Sequence, residues 1–356
     1  MNNTRDSFLR LVRLGLNLRG ELLDITDWRS LYAEASRQGL LEITFDGYVR
    51  MYEEWQVEMP SGVKQRWIAA VLDTEQRFAH QQAAAASYAE HLGQDNIRTY
   101  VLKGLVVSEC YPVPSHRRSV DMDCFLLPAE GDADVWEKGN AVSESAGYKV
   151  ERKYYKNSTI FWPGLTIENH RFMTPCRGNR TLLRLEKELQ RMMRLDAGNN
   201  HIDGSSLLRP PVMVSAIFLI EHAYSHFLHE GLTWRHVLDW VMFGRRHQDE
   251  IDWAQLNSWI DEFGFRRFYD SYVQLGAFLL GEVEEADLSP SDKMMLEDIW
   301  ANLDLHESVT GVKGKFALAG NTWRARWKYR YFSELNWFHA LCIQATGVLF
   351  SSSPKI

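Results

Sequence analysis

The feature that most limits what this chain can fold into is a change of hydrophobic period in its first half. Between Ile97 and Phe172 come five short runs rich in β-branched or aromatic residues: IRTYVL, VDMDCFLL, YKVERKYY, STIFW and LTIENHRF. Turn formers separate them, among them Pro112, Pro114, Gly131, Gly147 and the Pro163-Gly164 pair, so the runs read as strands of one small mixed sheet. Short helical patterns at Leu105–Tyr111 and around Asp132–Ala146 interrupt them. On either side the spacing is helical. Arg5–Leu23 and the Ala/Gln-rich stretch Trp67–Leu92, stopped by Gly93, precede the strands. TLLRLEKELQRMMRL and a helix from Val212 to about His229, entered through Pro210-Pro211, follow them. The predicted class is α+β. A helical region over residues 1–95 comes first, then an α/β core over 96–180, then a helical domain over 181–356.

With 356 residues, 45% hydrophobic and 24% charged, the chain can bury a sizeable core and is not a mainly disordered one. A formal net charge of -7 argues against a surface devoted to nucleic acid. The longest apolar run, Val212–Ile220, ends at Glu221-His222, far short of the ~20 residues of a membrane span. The charged N-terminus lacks the apolar block of a signal peptide. Cys110, Cys124, Cys176 and Cys342 form no CxxC pair, which argues against a disulfide framework or structural zinc. A cytoplasmic protein with no stable membrane insertion is expected. The Asn-x-Ser/Thr matches at Asn2, Asn157 and Asn179 then carry no weight.

Chemistry concentrates in VLKGLVVSECYPVPSHRRSVDMDCFLL and in LTIENHRF. Asp121 and Asp123 stand two apart in a strand, so both carboxylates face one side; Phe125 and Leu127 continue that face, while Met122, Cys124 and Leu126 cover the other. Two such carboxylates repel unless a cation or a proton lies between them. A hard divalent ion, Mg²⁺ or Mn²⁺, is the natural partner. The same alternation puts Thr166, Glu168, His170 and Phe172 on one face. Pro163-Gly164 makes STIFW and LTIENHRF a hairpin that fixes the register. If this strand lies beside the Asp strand, Glu168 becomes a third carboxylate. Lys103-Gly104 follows a strand and opens a short helix, where Gly104 lets a ligand approach the backbone and free N–H groups meet phosphate oxygens. Lys103, Arg117 and Arg118 supply the opposing charge. Acidic metal ligands facing phosphate ligands are what magnesium-dependent phosphoryl or nucleotidyl transfer requires.

The order LKG, then YP, then Arg shortly before Asp-x-Asp on a strand resembles an uncharacterised nucleotidyltransferase family of the DNA polymerase beta-like superfamily. That family shows KG where better-known relatives carry Gly-Ser, and an acidic-x-His strand that Glu168-Asn169-His170 matches. A later helix with two His, then a Trp and an Asp, is similar to His222, His226, Trp234 and Asp239 here. The resemblance covers roughly Ile97 to Phe243. It implies a polymerase beta-like sheet, with Asp121, Asp123 and Glu168 holding Mg²⁺ and serving as catalytic residues. It implies Lys103, Gly104 and Arg117 holding a nucleoside triphosphate, with Arg118 beside them. His170, His222, His226 and Asp239 become substrate-cleft candidates. Val120 stands where Gly often precedes the first Asp, Asn169 where an apolar residue is usual, and the Gly104–Asp121 spacing is longer than in the Gly-Ser relatives. The expected activity is transfer of NMP from an NTP, ATP among the candidate donors, to an acceptor that stays open: small molecule, protein or RNA. The alternative is a non-catalytic module that keeps the fold to bind a nucleotide or a partner.

Plainer readings exist for several of these residues. His170 either touches substrate or only hydrogen-bonds the neighbouring carboxylate. His222 and His226 have the spacing of a zinc pair, but with no HExxH a packed pair lining the cleft is the better reading. The basic and aromatic segment VKGKFALAGNTWRARWKYRYF suits RNA, single-stranded DNA or a membrane surface, but an aromatic core face with a solvated basic one is the better reading. Arg184, Arg191 and Arg194 lie on a helix with the pattern of a packing helix.

Overall fold

The computed structural model describes residues 3–131, 133–152, 154–196, 198–301, 323, 325–334 and 336–338. Cys342 and Asn2, and most of the basic and aromatic C-terminal segment, lie outside them. Four helices come first: α1 (Asn3–Gly15), α2 (Trp28–Arg37), α3 (Leu41–Trp55) and α4 (Ser61–Gly93). The sheet follows, with β1 (Ile97–Val101), β2 (Asp121–Pro128), β3 (Val150–Glu151), β4 (Asn157–Trp162), β5 (Leu165–His170) and β6 (Leu207–Leu208). Between and after the strands come α5 (Leu105–Ser108), α6 (Trp136–Ser145), α7 (Arg180–Leu195), α8 (Val212–His229), α9 (Trp234–Arg246), α10 (Trp253–Glu262), α11 (Arg266–Leu280), α12 (Pro290–Ala301) and α13 (Arg326–Phe332). The class is α+β around a mixed open sheet, in the order β3-β4-β5-β2-β1-β6.

Register decides what shares a face. β2 and β5 are parallel neighbours, with Asp121 opposite Thr166 and Asp123 opposite Glu168. β4 returns antiparallel through the Pro163-Gly164 turn, pairing Asn157 with His170 and Thr159 with Glu168. The alternation along β2 sends Met122, Cys124 and Leu126 into a core with Tyr88 and Leu92 of α4. Phe125 and Leu127 enter the larger core on the opposite face, which the N-terminal helices and α7–α13 share. Asp121 and Asp123 lie at the open end of that second face, where the helices stand back from the sheet.

Three elements differ from the sequence expectation. The short helix after Gly104 stops at Ser108, short of the Tyr111 expected, and Pro112 disfavours helical backbone at Tyr111 itself. Only Val150 and Glu151 of YKVERKYY pair in the sheet; Arg152 turns instead to Glu137 and Glu144 of α6. The strand β6, inside a stretch that reads as helical, pairs parallel with β1. Two residues are too few to show a period.

His116 ties this architecture together. Its two ring nitrogens hydrogen-bond Asp46 of α3 at 2.8 Å and Glu75 of α4 at 2.9 Å, fastening the loop before β2 to two helices. Burial opposes the charged ring, but the two carboxylates outweigh it and raise its pKa to about 9. A pKa raised on folding gives stability that is complete below the unfolded value near 6.5 and is lost as pH rises through about 9. The stability gap between wild type and His116→Gln in urea melts is therefore expected to shrink from pH 6 to pH 10. A gap independent of pH would show that the ring carries no proton in the folded protein.

Candidate active site

The loop after β1 sets one wall of a cleft of about 1280 Å³ between the sheet and helices α8 and α9. Gly104 has φ +71° and ψ -108°, a backbone conformation that side chains resist. A Cβ there would meet Ser119 Oγ and Asp121 O only at ordinary contact distances, so the constraint is backbone shape, not space. The turn places Lys103 in the cleft. Its side chain is only 8% exposed and makes no hydrogen bond or ion pair among the described residues. Burial lowers its pKa to about 8, although Asp239 and Asp123 favour the charged form. A buried cation without a partner is a costly arrangement that an anionic ligand would relieve.

Opposite it, the carboxylates converge. Asp123 is buried and accepts a hydrogen bond from His170 Nε2 at 2.8 Å, while Glu168 lies 3.6 Å from the same nitrogen. The ligand atoms of Asp123, Glu168 and His170 all lie within 4.8 Å of one another. Glu168 also accepts from Asn157 Nδ2 at 2.6 Å. Burial alone would raise the Asp123 carboxyl, but the His170 hydrogen bond, the His170 charge and Lys103 hold it at about 2. Burial also opposes protonation of His170, yet its hydrogen bond to Asp123 and the nearby Glu168 carboxylate raise it to about 9. Asp121 has no such partner; burial and repulsion from Asp123 and Glu168 push its pKa up. The group whose ligand atoms lie close enough to share a cation is Asp123, Glu168 and His170, and its carboxylate oxygens suit a hard divalent ion; Asp121, two residues before Asp123 on β2, feels the repulsion of both acids but stands outside that group.

The structure brings Lys103, Gly104, Arg117, Asp121, Asp123, Glu168, His170, His222 and His226 to one cleft. Two candidates sit elsewhere. Arg118 points its Nε at Glu42 of α3, 3.6 Å away, and offers only its carbonyl, to Arg235. Asp239 lies beneath the wall and is 2% exposed. Its carboxylate accepts both Nε (2.9 Å) and one terminal nitrogen (2.7 Å) of Arg117, together with the Tyr111 hydroxyl (2.8 Å). The other Arg117 nitrogen reaches the Gly104 carbonyl at 3.5 Å. Arg117 is thus matched charge for charge by Asp239 and steadies the Lys103-Gly104 turn.

The His222 and His226 rings pack tilted, with centroids 4.4 Å apart, and His226 contacts His236 at 5.0 Å. Burial and the Lys103 charge hold His222 well below the usual histidine range, and burial with the His226 and Lys103 charges does the same for His236. His222 and His236 are thus held toward the neutral form, His226 Nδ1 pairs with Glu230 at 2.7 Å, and the single metal-competent group among the described residues is the one at Asp123. The departures from the family pattern are accommodated. Asn169 is buried on the far face and donates to Asn140 at 2.9 Å, and Val120 lies outside the left-handed region that would demand glycine.

Sequence reasoning missed Asn157, Lys156, Arg177 and Arg235, all of which line the cleft. Arg235 is flanked by Trp234 and His236 in a segment already singled out, but Trp234 is core, packed on Trp300. Asn157 appears in the sequence only as a glycosylation match. Of the cysteines, Cys110, Cys124 and Cys176 are free and buried. Asn179 caps α7. On α13, Lys328 is buried against Asp298 and the Phe227 carbonyl, so this part of the basic segment packs on α8. No helix of the described residues is long and apolar enough to cross a membrane.

Comparison with known proteins gives one family. The model described as "Uncharacterised nucleotidyltransferase" matches residues 24–281, from before α2 through α11, and reaches well beyond the Ile97–Phe243 span of the motifs. No curated protein and no solved structure matches the chain.

Removing Arg117 alone leaves a buried, uncompensated Asp239. Arg117→Met is expected to cost about 3–5 kcal/mol in urea unfolding. The double variant Arg117→Met/Asp239→Leu should recover most of that loss. Equal loss in single and double variants would contradict the pairing.

Proposed function

The chain belongs to the uncharacterised nucleotidyltransferase family, and from that premise we propose that it is a divalent-metal-dependent nucleotidyltransferase using an NTP as donor. The observation that carries the reading is the opposition within one cleft of an unpartnered buried cation, Lys103, and three converging carboxylates. Asp121, Asp123 and Glu168 would hold Mg²⁺ or Mn²⁺. When bound, the ion polarises the α-phosphate and offsets charge on the attacking and leaving oxygens.

The chain's own residues account for the remaining steps. Lys103 and the backbone N–H groups after Gly104 bind the β- and γ-phosphates, and Arg117 with Asp239 keeps that turn in place. Arg235 Nε is buried without a hydrogen-bond partner and adds a second guanidinium on the same side. An acceptor hydroxyl oxygen attacks the α-phosphorus as the bond to the bridging oxygen breaks. Pyrophosphate leaves toward Lys103, and the hydroxyl proton passes to Glu168, which Asn157 orients. His170 positions the Asp123 carboxylate by hydrogen bond.

Transfer from each of the four α-labelled NTPs with Mg²⁺ is the test. Asp121→Asn and Asp123→Asn are each expected to lower transfer about 1,000-fold or more, several kcal/mol of transition-state stabilisation. Lys103→Ala should raise the KM for NTP and lower kcat. Undiminished transfer in either Asp variant would overturn the assignment. NTP binding without turnover in the wild type would leave the non-catalytic module.

A further inference from the structure

The cleft holds a second lysine, half-buried, that the donor site does not use. Lys156 stands just before β4 and lines the cleft; among the described residues its ammonium group has no hydrogen bond or ion pair. Its charge is felt by Asp123, His170 and His222. Lys103 leaves the other flank of the sheet, at the end of β1. In the strand order, β5 and β2, which carry the carboxylates, lie between β4 and β1. The two lysine-bearing strands are therefore roughly 14 Å apart by the usual strand spacing.

In-line displacement puts the attacking oxygen on the side of the phosphorus opposite the leaving pyrophosphate. With pyrophosphate drawn to Lys103, the acceptor enters from the β4 side, where Lys156 waits. The cleft of about 1280 Å³ exceeds the roughly 300–1,000 Å³ of a site for one small ligand, so it has room for two. Resting on the nucleotidyltransferase reading, we propose that Lys156 anchors an anionic, phosphate-type group on a small hydroxyl-bearing acceptor.

The surroundings favour a compact acceptor over a nucleic-acid end. At the rim, Arg152 is occupied by Glu137 and Glu144, and Arg171 by Asp134 at 3.1 Å. Among the described residues, flanking phosphates of a polynucleotide would meet those acids and Glu230 at the rim. Within the cleft, Tyr154 is half exposed beside Tyr155, with ring centroids 4.8 Å apart, and Arg177 lies 4.3 Å over the Tyr155 ring. That platform suits the carbon skeleton of a small polyhydroxy compound.

The test is calorimetric titration of inorganic phosphate into full-length protein saturated with Mg²⁺ and a non-hydrolysable NTP analogue. Wild type, Lys156→Ala and Lys156→Arg are compared, and phosphate is also titrated without the analogue into Lys103→Ala. Phosphate should bind the loaded wild type, about 10–100-fold more weakly in Lys156→Ala, with partial recovery in Lys156→Arg. Transfer assays then pair free sugars with their phosphates and include an oligonucleotide with a free 3′ hydroxyl. Use of the phosphorylated member, with acceptor KM raised in Lys156→Ala and NTP KM unchanged, supports the proposal. Equal phosphate affinity in wild type and Lys156→Ala overturns it, as does equal use of the free sugar or labelling of the oligonucleotide. Failure of the analogue to bind would count against the donor reading alone, because the titration into Lys103→Ala still reads the Lys156 site.

Discussion

Three carboxylates brought to one cleft by neighbouring strands repel one another, and much of the structure around them answers that repulsion. The parallel register of β2 and β5 sets Asp123 beside Glu168, and burial denies Asp123 the screening of water. His170 sits between them as a protonated ring and holds Asp123 ionised. Asp121 is left with a raised pKa and no protein cation in hydrogen-bond contact.

The opposite wall solves the converse problem. Lys103 is buried and unpartnered, while the nearby Arg117 is neutralised by Asp239. One cation is thus kept available and the other is spent on geometry. The pair reaches across 122 residues from the loop before β2 to α9 and steadies the Gly104 turn. On helices α8 and α9, burial and the Lys103 charge hold His222 and His236 toward the neutral form. Adding charge there would set cations against cations; neutral rings offer hydrogen bonds at no such cost.

Much of this is legible in the sequence where local period governs it. The two-residue alternation of VDMDCFLL puts its acids and its apolar residues on opposite faces, and the Pro163-Gly164 hairpin fixes how Glu168 is presented. The α+β order follows from the change of period at Ile97. What stays hidden depends on distant partners. Arg117 looks like a phosphate ligand until Asp239 is seen beneath it, and Arg118 until Glu42 is seen beside it. Lys156 and Asn157 sit in a polar run with no period, and their place in the cleft comes from the strand pairing of β4. The two-residue β6 depends wholly on β1.

The central claim is that the carboxylates and Lys103 form one metal–nucleotide site. Calorimetric titration of the four NTPs, with and without Mg²⁺, into wild type, Asp123→Asn and Lys103→Ala tests it most directly. The account predicts binding that requires Mg²⁺ in the wild type, is lost in Asp123→Asn and is weakened in Lys103→Ala. Binding of equal strength without Mg²⁺, or undiminished in Asp123→Asn, would contradict it.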